Sequence, residues 1–174
     1  MITTRRLTMD DAPALAKLVT ANREFLKPWE PARTEEYYTE DGQREVIEAQ
    51  LLLQASGNAE VHVIELDGEL AGRIMLAGIV RGPFHSCSVG YWVASSANGR
   101  GVASAAVAAM LRVAFDELGL HRVQAETLLH NHGSQRVLAR NGFERIGLAP
   151  KFLRIDGEWQ DHVLFQVVNE GWEG

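Results

Sequence analysis

Hydrophobic residues recur at helical spacing in two stretches of the first third of the chain. They fall three and four positions apart over residues 12–26, and the side chains just before this stretch can cap a helix N-terminus. A second stretch of the same kind covers about residues 41–55. We therefore predict two helices, preceded by a short strand over residues 2–7, where apolar and polar positions alternate.

After the second helix the pattern changes to that of strands. Apolar runs flank Asp67-Gly68, and this arrangement predicts a β-hairpin because Asp-Gly between such runs is a strong hairpin signal. A second pair, Asp156-Gly157, predicts another hairpin near the end of the chain. The predicted strands cover residues 61–66, 70–80, 85–93, 122–129, 143–155 and 159–168, and further helices cover about 103–118 and 132–141.

The resulting element order is β-α-α-β-β-β-α-β-α-β-β. This order indicates an α/β (α+β) fold around a mixed, mostly antiparallel central sheet. No internal repeat or long linker interrupts the pattern, and 174 residues suit one domain with a proper core. We expect a single domain over residues 1–174.

Composition narrows the classes of function. With 46% hydrophobic and 23% charged residues the chain is an ordinary folded protein rather than a disordered one. Its net charge of −6 argues against a nucleic-acid partner and suits a positively charged one, such as an amine or a basic peptide. Cys87 is the only cysteine, which excludes an intrachain disulfide. No apolar stretch is long enough for a signal core or a bilayer span, so we expect a cytoplasmic protein without a membrane partner.

A segment with two glycines, residues 98–103, lies between a predicted strand and the long helix. Gly99 and Gly101 would let backbone N–H groups approach a ligand, and the helix N-terminus favours an anion such as pyrophosphate. Arg100 adds a positive charge. The spacing matches neither a Walker loop nor the dinucleotide fingerprint. From these residues alone, an anion-binding loop and a simple tight corner are equally good interpretations.

A second segment, about thirty residues further on, joins a strand end to a short helix. Asn131 and Ser134 flank the start of that helix, and Gly142-Phe143 ends it. Together the two segments resemble the GNAT acetyltransferase superfamily, in which Gln/Arg-x-x-Gly-x-Gly/Ala cradles the pyrophosphate of coenzyme A and Asn-x-x-Ser/Ala and Gly-Phe follow. Asn98 departs from that pattern, since Gln or Arg is usual there, and this puts its own cofactor contact in doubt.

This resemblance implies a GNAT-like sheet with helices on both faces and acetyl-CoA as the cofactor. It also implies cofactor contacts from Val93, Asn98, Gly99, Arg100, Gly101, Val102, Ala103, Asn131 and Ser134.

Within the superfamily, residues 22–29, 89–92, 131–140 and 157–162 resemble the RimJ/RimL-type enzymes, the last of them as Gly-x-Trp-x-Asp-His. That resemblance implies acetyl transfer to the N-terminal α-amine of a ribosomal or similar protein, by a monomer or a homodimer. Two alternatives stay open. One is acetylation of a small amine (an antibiotic, polyamine or amino acid), and the other is a non-catalytic acyl-CoA sensor.

Amine acetylation requires a base for the amine, a donor for the oxyanion and an acid for the departing thiolate. The resemblance implies that Glu126 is the base and Ser134 the acid. The residues alone also allow Glu126 to be a solvated strand carboxylate in a cross-strand pair, and Ser134 to be a helix cap. Other superfamily members carry a catalytic tyrosine where this chain has Leu138, so we expect that mechanism to be absent.

The remaining groups of the site are expected on a strand and a loop. We expect the oxyanion donor among the backbone N–H groups of residues 90–93, where the strand should open towards the thioester. Bulky side chains supply candidates for the wall of the acceptor pocket, although such residues often form satellite core instead. The six histidines show no paired metal-ligand spacing, so no metal site is expected. The acceptor-pocket candidates are Trp29, Tyr37, Tyr38 and Tyr91.

Overall fold

The computed structural model describes residues 1–174 and contains one seven-stranded sheet in the order β1-β2-β3-β4-β5-β7-β6. All neighbouring strands are antiparallel except β4 and β5, which are parallel. The predicted mixed, mostly antiparallel sheet is therefore confirmed. The strands are β1 Ile2–Arg6, β2 Ala59–Leu66, β3 Glu69–Val80, β4 Ser86–Val93, β5 Arg122–Leu128, β6 Glu144–Ile155 and β7 Glu158–Val168.

Five α-helices connect these strands and cover both faces of the sheet. A larger core of 21 buried residues lies between the sheet and the fourth and fifth helices, with Met110 and Leu138 fully buried. A smaller core of seven lies on the opposite face, where Leu15 and Ile47 of the first and third helices meet β2. None of the helices is both long and apolar enough to cross a lipid bilayer. The helices are α1 Ala12–Ala21, α2 Arg23–Leu26, α3 Glu40–Ala55, α4 Val102–Arg112 and α5 His132–Arg140.

The predicted continuous helix over residues 12–26 is wrong, because the chain breaks at Asn22 into α1 and α2. The buried Asn22 amide donates from Nδ2 to the carbonyl of Leu18 (2.9 Å) and accepts at Oδ1 from the N–H of Ser95 (2.8 Å). The break therefore serves a long-range contact that fastens α1 to the loop after β4. Local periodicity carries no sign of such a contact.

The predicted long helix ending near residue 118 changes character before it ends. The α-helical part stops at Arg112, and residues 113–117 form a π-helical turn in which the N–H of Leu118 donates to the carbonyl of Val113 (2.9 Å). The chain then leaves through Gly119, whose positive φ of 64° suits glycine. The helix thus reaches its predicted end, with a wider last turn.

The parallel strands β4 and β5 are paired over only three residues. Ser86, Cys87 and Ser88 face Arg122, Val123 and Gln124, and beyond these positions the two strands separate. Backbone groups of the second half of β4 that point towards β5 therefore lack a strand partner. Gly90 lies in this half, and a Cβ added to it would meet no atom within 4 Å. The sheet thus opens along the part of β4, residues 90–93, in which we expect the oxyanion donor.

Candidate active site

A cavity of about 380 Å³ occupies the opening between β4 and β5. A second space of about 340 Å³ lies beside the starts of α4 and α5. Side chains from α2, β4 and α5 line both spaces, so the two are adjacent. The shared lining residues are Leu26, Trp29, Tyr91, Trp92, Asn131 and Ser134.

The glycine segment adopts the left-handed backbone at two positions directly before α4. Gly99 has φ 74° and Gly101, the N-cap of α4, has φ 79°. A Cβ on either would meet no atom within 4 Å, so the requirement for glycine is conformational rather than steric. The first turn of α4 contains no acidic residue, and its leading N–H groups have no partner within the helix. This helix start can accept an anion.

Of the other predicted cofactor-binding residues, some line the second space and others lie outside it. Val93, Asn98 and Ala103 line the second space, whereas the side chain of Val102 is buried in the core. Arg100 is exposed and lies 3.7 Å from Asp67 on the β2–β3 turn. Val102 therefore lines neither space, although it is the first residue of α4 and its neighbour Ala103 does line the second space.

Ser134 is oriented by Asn131 rather than acting as the helix cap itself. Asn131 is the N-cap of α5, and its Oδ1 accepts from the N–H of Ser134 (3.1 Å). The Ser134 hydroxyl is thus free for another contact, which it makes with the Tyr91 hydroxyl at 2.7 Å. Burial raises the pKa of Tyr91 to about 12, so its phenol keeps its proton near neutral pH.

Glu126 lies on β5 at the cavity wall and forms no salt bridge. The residue opposite it on β7 is Leu164, so the cross-strand ion pair considered from the sequence is absent. Its Oε1 accepts from Nε2 of Gln124 at 2.6 Å and lies 3.5 Å from Oγ of Ser88. The carboxylate is held by neutral donors and keeps access to the cavity.

A row of polar side chains leads to Glu126, and sequence reasoning missed it. Arg122 donates from Nη2 to Oε1 of Gln124 (2.7 Å), from Nε to Gln166 (2.7 Å) and from Nη1 to Ser86 (3.1 Å). Because a guanidinium only donates, the Gln124 oxygen must face Arg122 and its NH₂ must face Glu126. The sequence did contain a signal, since polar Arg122, Gln124 and Glu126 alternate along β5 with the buried residues Val123 and Ala125.

The four acceptor-pocket candidates are not brought together. Trp29 and Tyr91 line the cavity, and the Trp29 ring lies 5.3 Å from that of His130. Tyr37 and Tyr38 form a 3₁₀ turn before α3 and are not on the cavity wall. Their rings instead pack under the guanidinium groups of Arg33 (4.5 Å) and Arg23 (4.3 Å), respectively.

Three charged groups that sequence reasoning missed also line the cavity. Burial raises the pKa of Glu30, against the lowering effects of Arg33, whose Nη2 lies 3.8 Å from its carboxylate, and of Arg73. Arg73 of β3 is 8% exposed, and its Nη1 donates to Oε1 of Gln50 (3.2 Å). A charged residue within the apolar run of β3 was the available signal.

Comparison with known proteins places this geometry in a family. Residues 2–144 match the family model described as an acetyltransferase (GNAT) domain. The ribosomal protein uS5-alanine N-acetyltransferase of Escherichia coli (strain K12) is 35% identical over 170 residues, which cover 96% of this chain and 88% of that protein.

Two solved structures are similar over almost the whole chain. The ribosomal-protein-S5-alanine acetyltransferase from Vibrio fischeri superposes with a TM-score of 0.93 at 32% sequence identity. The matched region covers 99% of this chain and 96% of the Vibrio fischeri chain. Mycobacterium smegmatis RimJ in complex with CoA-disulfide has a TM-score of 0.94 at 33% identity, covering 99% and 84%. The resemblance drawn from the two motif segments is confirmed. The chain belongs to the GNAT acetyltransferase family and is an N-acetyltransferase.

Proposed function

We propose that this enzyme transfers the acetyl group of acetyl-CoA to the N-terminal α-amine of a protein, with ribosomal proteins as the leading candidates. The observation that carries the proposal is that Ser134 and Tyr91 line both adjacent spaces, with the Glu126 carboxylate on the wall of the space between β4 and β5. Glu126 as the base and Ser134 as the proton donor thus line the same cavity. Similarity to enzymes named for ribosomal-protein alanine acetylation supports this choice of acceptor.

The residues at the start of α4 fit the cofactor. Its acid-free first turn and the left-handed glycines before it suit a pyrophosphate, and the space beside Val93 and Asn131 suits the remainder of the molecule. When bound, acetyl-CoA supplies an activated acetyl thioester. Asn98 lines the same cleft, and its Oδ1 accepts from the N–H of Gly99 at 3.1 Å, so it stabilises the loop itself.

The chain's own groups divide the proton transfers between them. An α-amine has a pKa of about 7.7–8.0, so Glu126 has a small task in accepting its proton, directly or through water. The hydroxyls of Tyr91 and Ser134 are 2.7 Å apart, and with Tyr91 as the donor of this bond the Ser134 proton is left for the departing thiolate. Free N–H groups of the second half of β4 face the same opening and are suited to developing negative charge.

The same proposal includes a single domain over residues 1–174 and a cytoplasmic location. The single sheet, built from strands between Ile2 and Val168, supports the domain. The location follows from the proposed acceptor, since ribosomal proteins are made in the cytoplasm. Whether the enzyme works as a monomer or a homodimer stays a prediction.

Thiol release from acetyl-CoA tests the acceptor. Purified enzyme would be given peptides beginning with Ala, Ser or Met, the same peptides with blocked N-termini, and a panel of small amines. We expect turnover of the free Ala- or Ser-starting peptides and none of the blocked ones. Turnover confined to small amines would replace the proposed acceptor, and acetyl-CoA binding without turnover of any amine would indicate a sensor.

Replacing Glu126 tests the base. Glu126→Gln keeps the shape of the side chain and removes its basicity, so we expect kcat to fall by on the order of a hundredfold or more while acetyl-CoA affinity is retained. Glu158→Gln, on the exposed β6–β7 hairpin, is the matched control and should behave as wild type. Equal kcat for the two variants would exclude Glu126 as the base.

A further inference from the structure

Arg73 is a buried cation that forms no salt bridge, and the Glu30 carboxylate in the same cavity acts on it only at longer range. Its side chain enters the acceptor cavity from β3 and is 8% exposed. Burial lowers the pKa of its guanidinium, against the effect of the nearby Tyr37 hydroxyl. Burial of an unpaired charge is costly, and proteins usually offset that cost with a partner. A buried arginine without one therefore requires an explanation.

The potential partners around Arg73 are occupied or neutral. Its hydrogen bond to a side chain within the cavity is to the neutral amide of Gln50, at 3.2 Å. The Glu30 carboxylate lies within salt-bridge distance of Arg33, at 3.8 Å, and not of Arg73. A guanidinium has five N–H donors, so Arg73 keeps donors for a ligand beyond those that face Gln50 and the Tyr37 hydroxyl. The indole Nε1 of Trp92, the residue opposite Arg73 on β4, is also a buried donor without an acceptor.

Arg73 and Glu126 lie on opposite sides of β4. Arg73 is on β3 opposite Trp92, and Glu126 is on β5, beyond the point where that strand separates from β4. Adjacent strands are about 4.8 Å apart, so the two backbones are at least about 10 Å apart. Both side chains line one cavity. The cavity therefore offers a negative group for an amine and a positive group some distance from it.

We propose that Arg73 binds a carboxylate of the acceptor, and that this carboxylate is an acidic side chain on the second or third residue of the N-terminus to be acetylated. The inference rests on the proposed protein acceptor and adds a sequence preference to it. Successive Cα atoms are 3.8 Å apart, so a side chain one or two residues beyond the amine spans the interval between β5 and β3. The α-carboxylate of a free amino acid has the same chemistry but is attached directly to the carbon that carries the amine.

Matched peptides test the preference in the wild-type enzyme. Peptides beginning Ala-Asp or Ala-Ala-Asp would be compared with their Asn counterparts by kcat/KM. A hydrogen bond between the Asp carboxylate and the Arg73 guanidinium joins two charged groups. We therefore expect kcat/KM to be at least about tenfold higher for at least one of the two Asp peptides than for its Asn match. Equal kcat/KM within both pairs would overturn the inference while leaving N-terminal acetylation intact. Failure of all four peptides would count against the protein acceptor itself.

Variants assign the preference to Arg73. Arg73→Gln should bring the ratio of kcat/KM between the preferred Asp peptide and its Asn match to about one, whereas Arg73→Lys should retain part of the preference. Arg154→Gln, on the exposed β6–β7 hairpin, is the control and should keep the full preference. An undiminished preference in Arg73→Lys and Arg73→Gln would exclude Arg73. If Arg73→Gln does not fold, the wild-type and Arg73→Lys comparisons still decide.

A final pair, free alanine and alaninamide, distinguishes the two sources of a carboxylate. We expect neither to be a good substrate. The opposite result would be turnover of alanine but not of alaninamide, loss of that turnover in Arg73→Lys, and no turnover of any peptide. Arg73 would then still bind a carboxylate, but the carboxylate would be that of a free amino acid and not of a peptide.

Discussion

At the scale of single residues, the site depends on side chains whose hydrogen-bond roles are set by their neighbours. Asn131 caps α5 and so releases the Ser134 hydroxyl, and Arg122 forces the Gln124 amide to present its NH₂ to Glu126. Neither Asn131 nor Gln124 needs to touch a substrate to matter. Their contribution is to hold the Ser134 hydroxyl and the Glu126 carboxylate, the proposed proton donor and the proposed base, in a defined orientation before the acceptor arrives.

The contact between Tyr91 and Ser134 makes a specific prediction about kcat. In the proposed mechanism Tyr91 acts through the Ser134 hydroxyl, so Ser134→Ala should lower kcat by about tenfold or more and Tyr91→Phe by less. The double variant should be no slower than Ser134→Ala alone, since the tyrosine then has nothing left to polarise. Steady-state thiol release from the wild type and the three variants checks this. Additive losses would show that the two hydroxyls act separately.

At the scale of elements, the start of the chain is stabilised by a buried carboxylate. Burial by itself would raise the pKa of Asp11, but hydrogen bonds from Arg5 and Thr8 lower it below its ordinary value. Arg5 donates to its two oxygens at 2.7 and 3.0 Å, and the N–H of Thr8 donates at 2.9 Å. This group joins β1 to the turn that leads into α1.

The lowered pKa fixes the sign of a pH effect on stability. A carboxyl whose pKa is lower in the folded state contributes stability above its unfolded pKa of about 3.9 and loses that contribution as the pH falls through the folded value. Asp11→Asn should therefore reduce the free energy of unfolding by about 1–3 kcal/mol at pH 7, with the difference from wild type shrinking below about pH 4. Denaturant titrations at several pH values check this, with exposed Asp10→Asn as the control. A difference independent of pH would exclude the charge as its source.

At the scale of the whole molecule, the elements predicted from sequence are largely those of the structure, because hydrophobic alternation and Asp-Gly turns are local signals. The misses have long-range causes. The break at Asn22 depends on Ser95, more than seventy residues away in sequence, and no periodicity reports such a bond. The site divides in the same way. Motif spacing identified Ser134, Asn131 and the glycine segment as one candidate site, whereas the interest of Arg73 is visible only from its position on the cavity wall.

The three-residue ladder between β4 and β5 has a consequence for the energetics of the fold. In backbone hydrogen bonding the sheet consists of two blocks, β1–β4 and β5–β7, joined by Ser86–Ser88 and its partners. A molecule seated across the gap touches both blocks, and it should suppress motions that separate them more than it suppresses motions within either block.

Amide hydrogen exchange with and without acetyl-CoA measures that suppression. Added slowing should concentrate in residues 86–93 and 122–128, and global stability should rise by about 2.7 kcal/mol at a ligand concentration 100 times Kd. Uniform slowing across all seven strands would mean that the blocks already separate only on global unfolding. The gap between β4 and β5 that admits the reactants would thus also let a bound reactant cross-link the two blocks. The enzyme would then be most resistant to separation of the blocks when its ligand is bound.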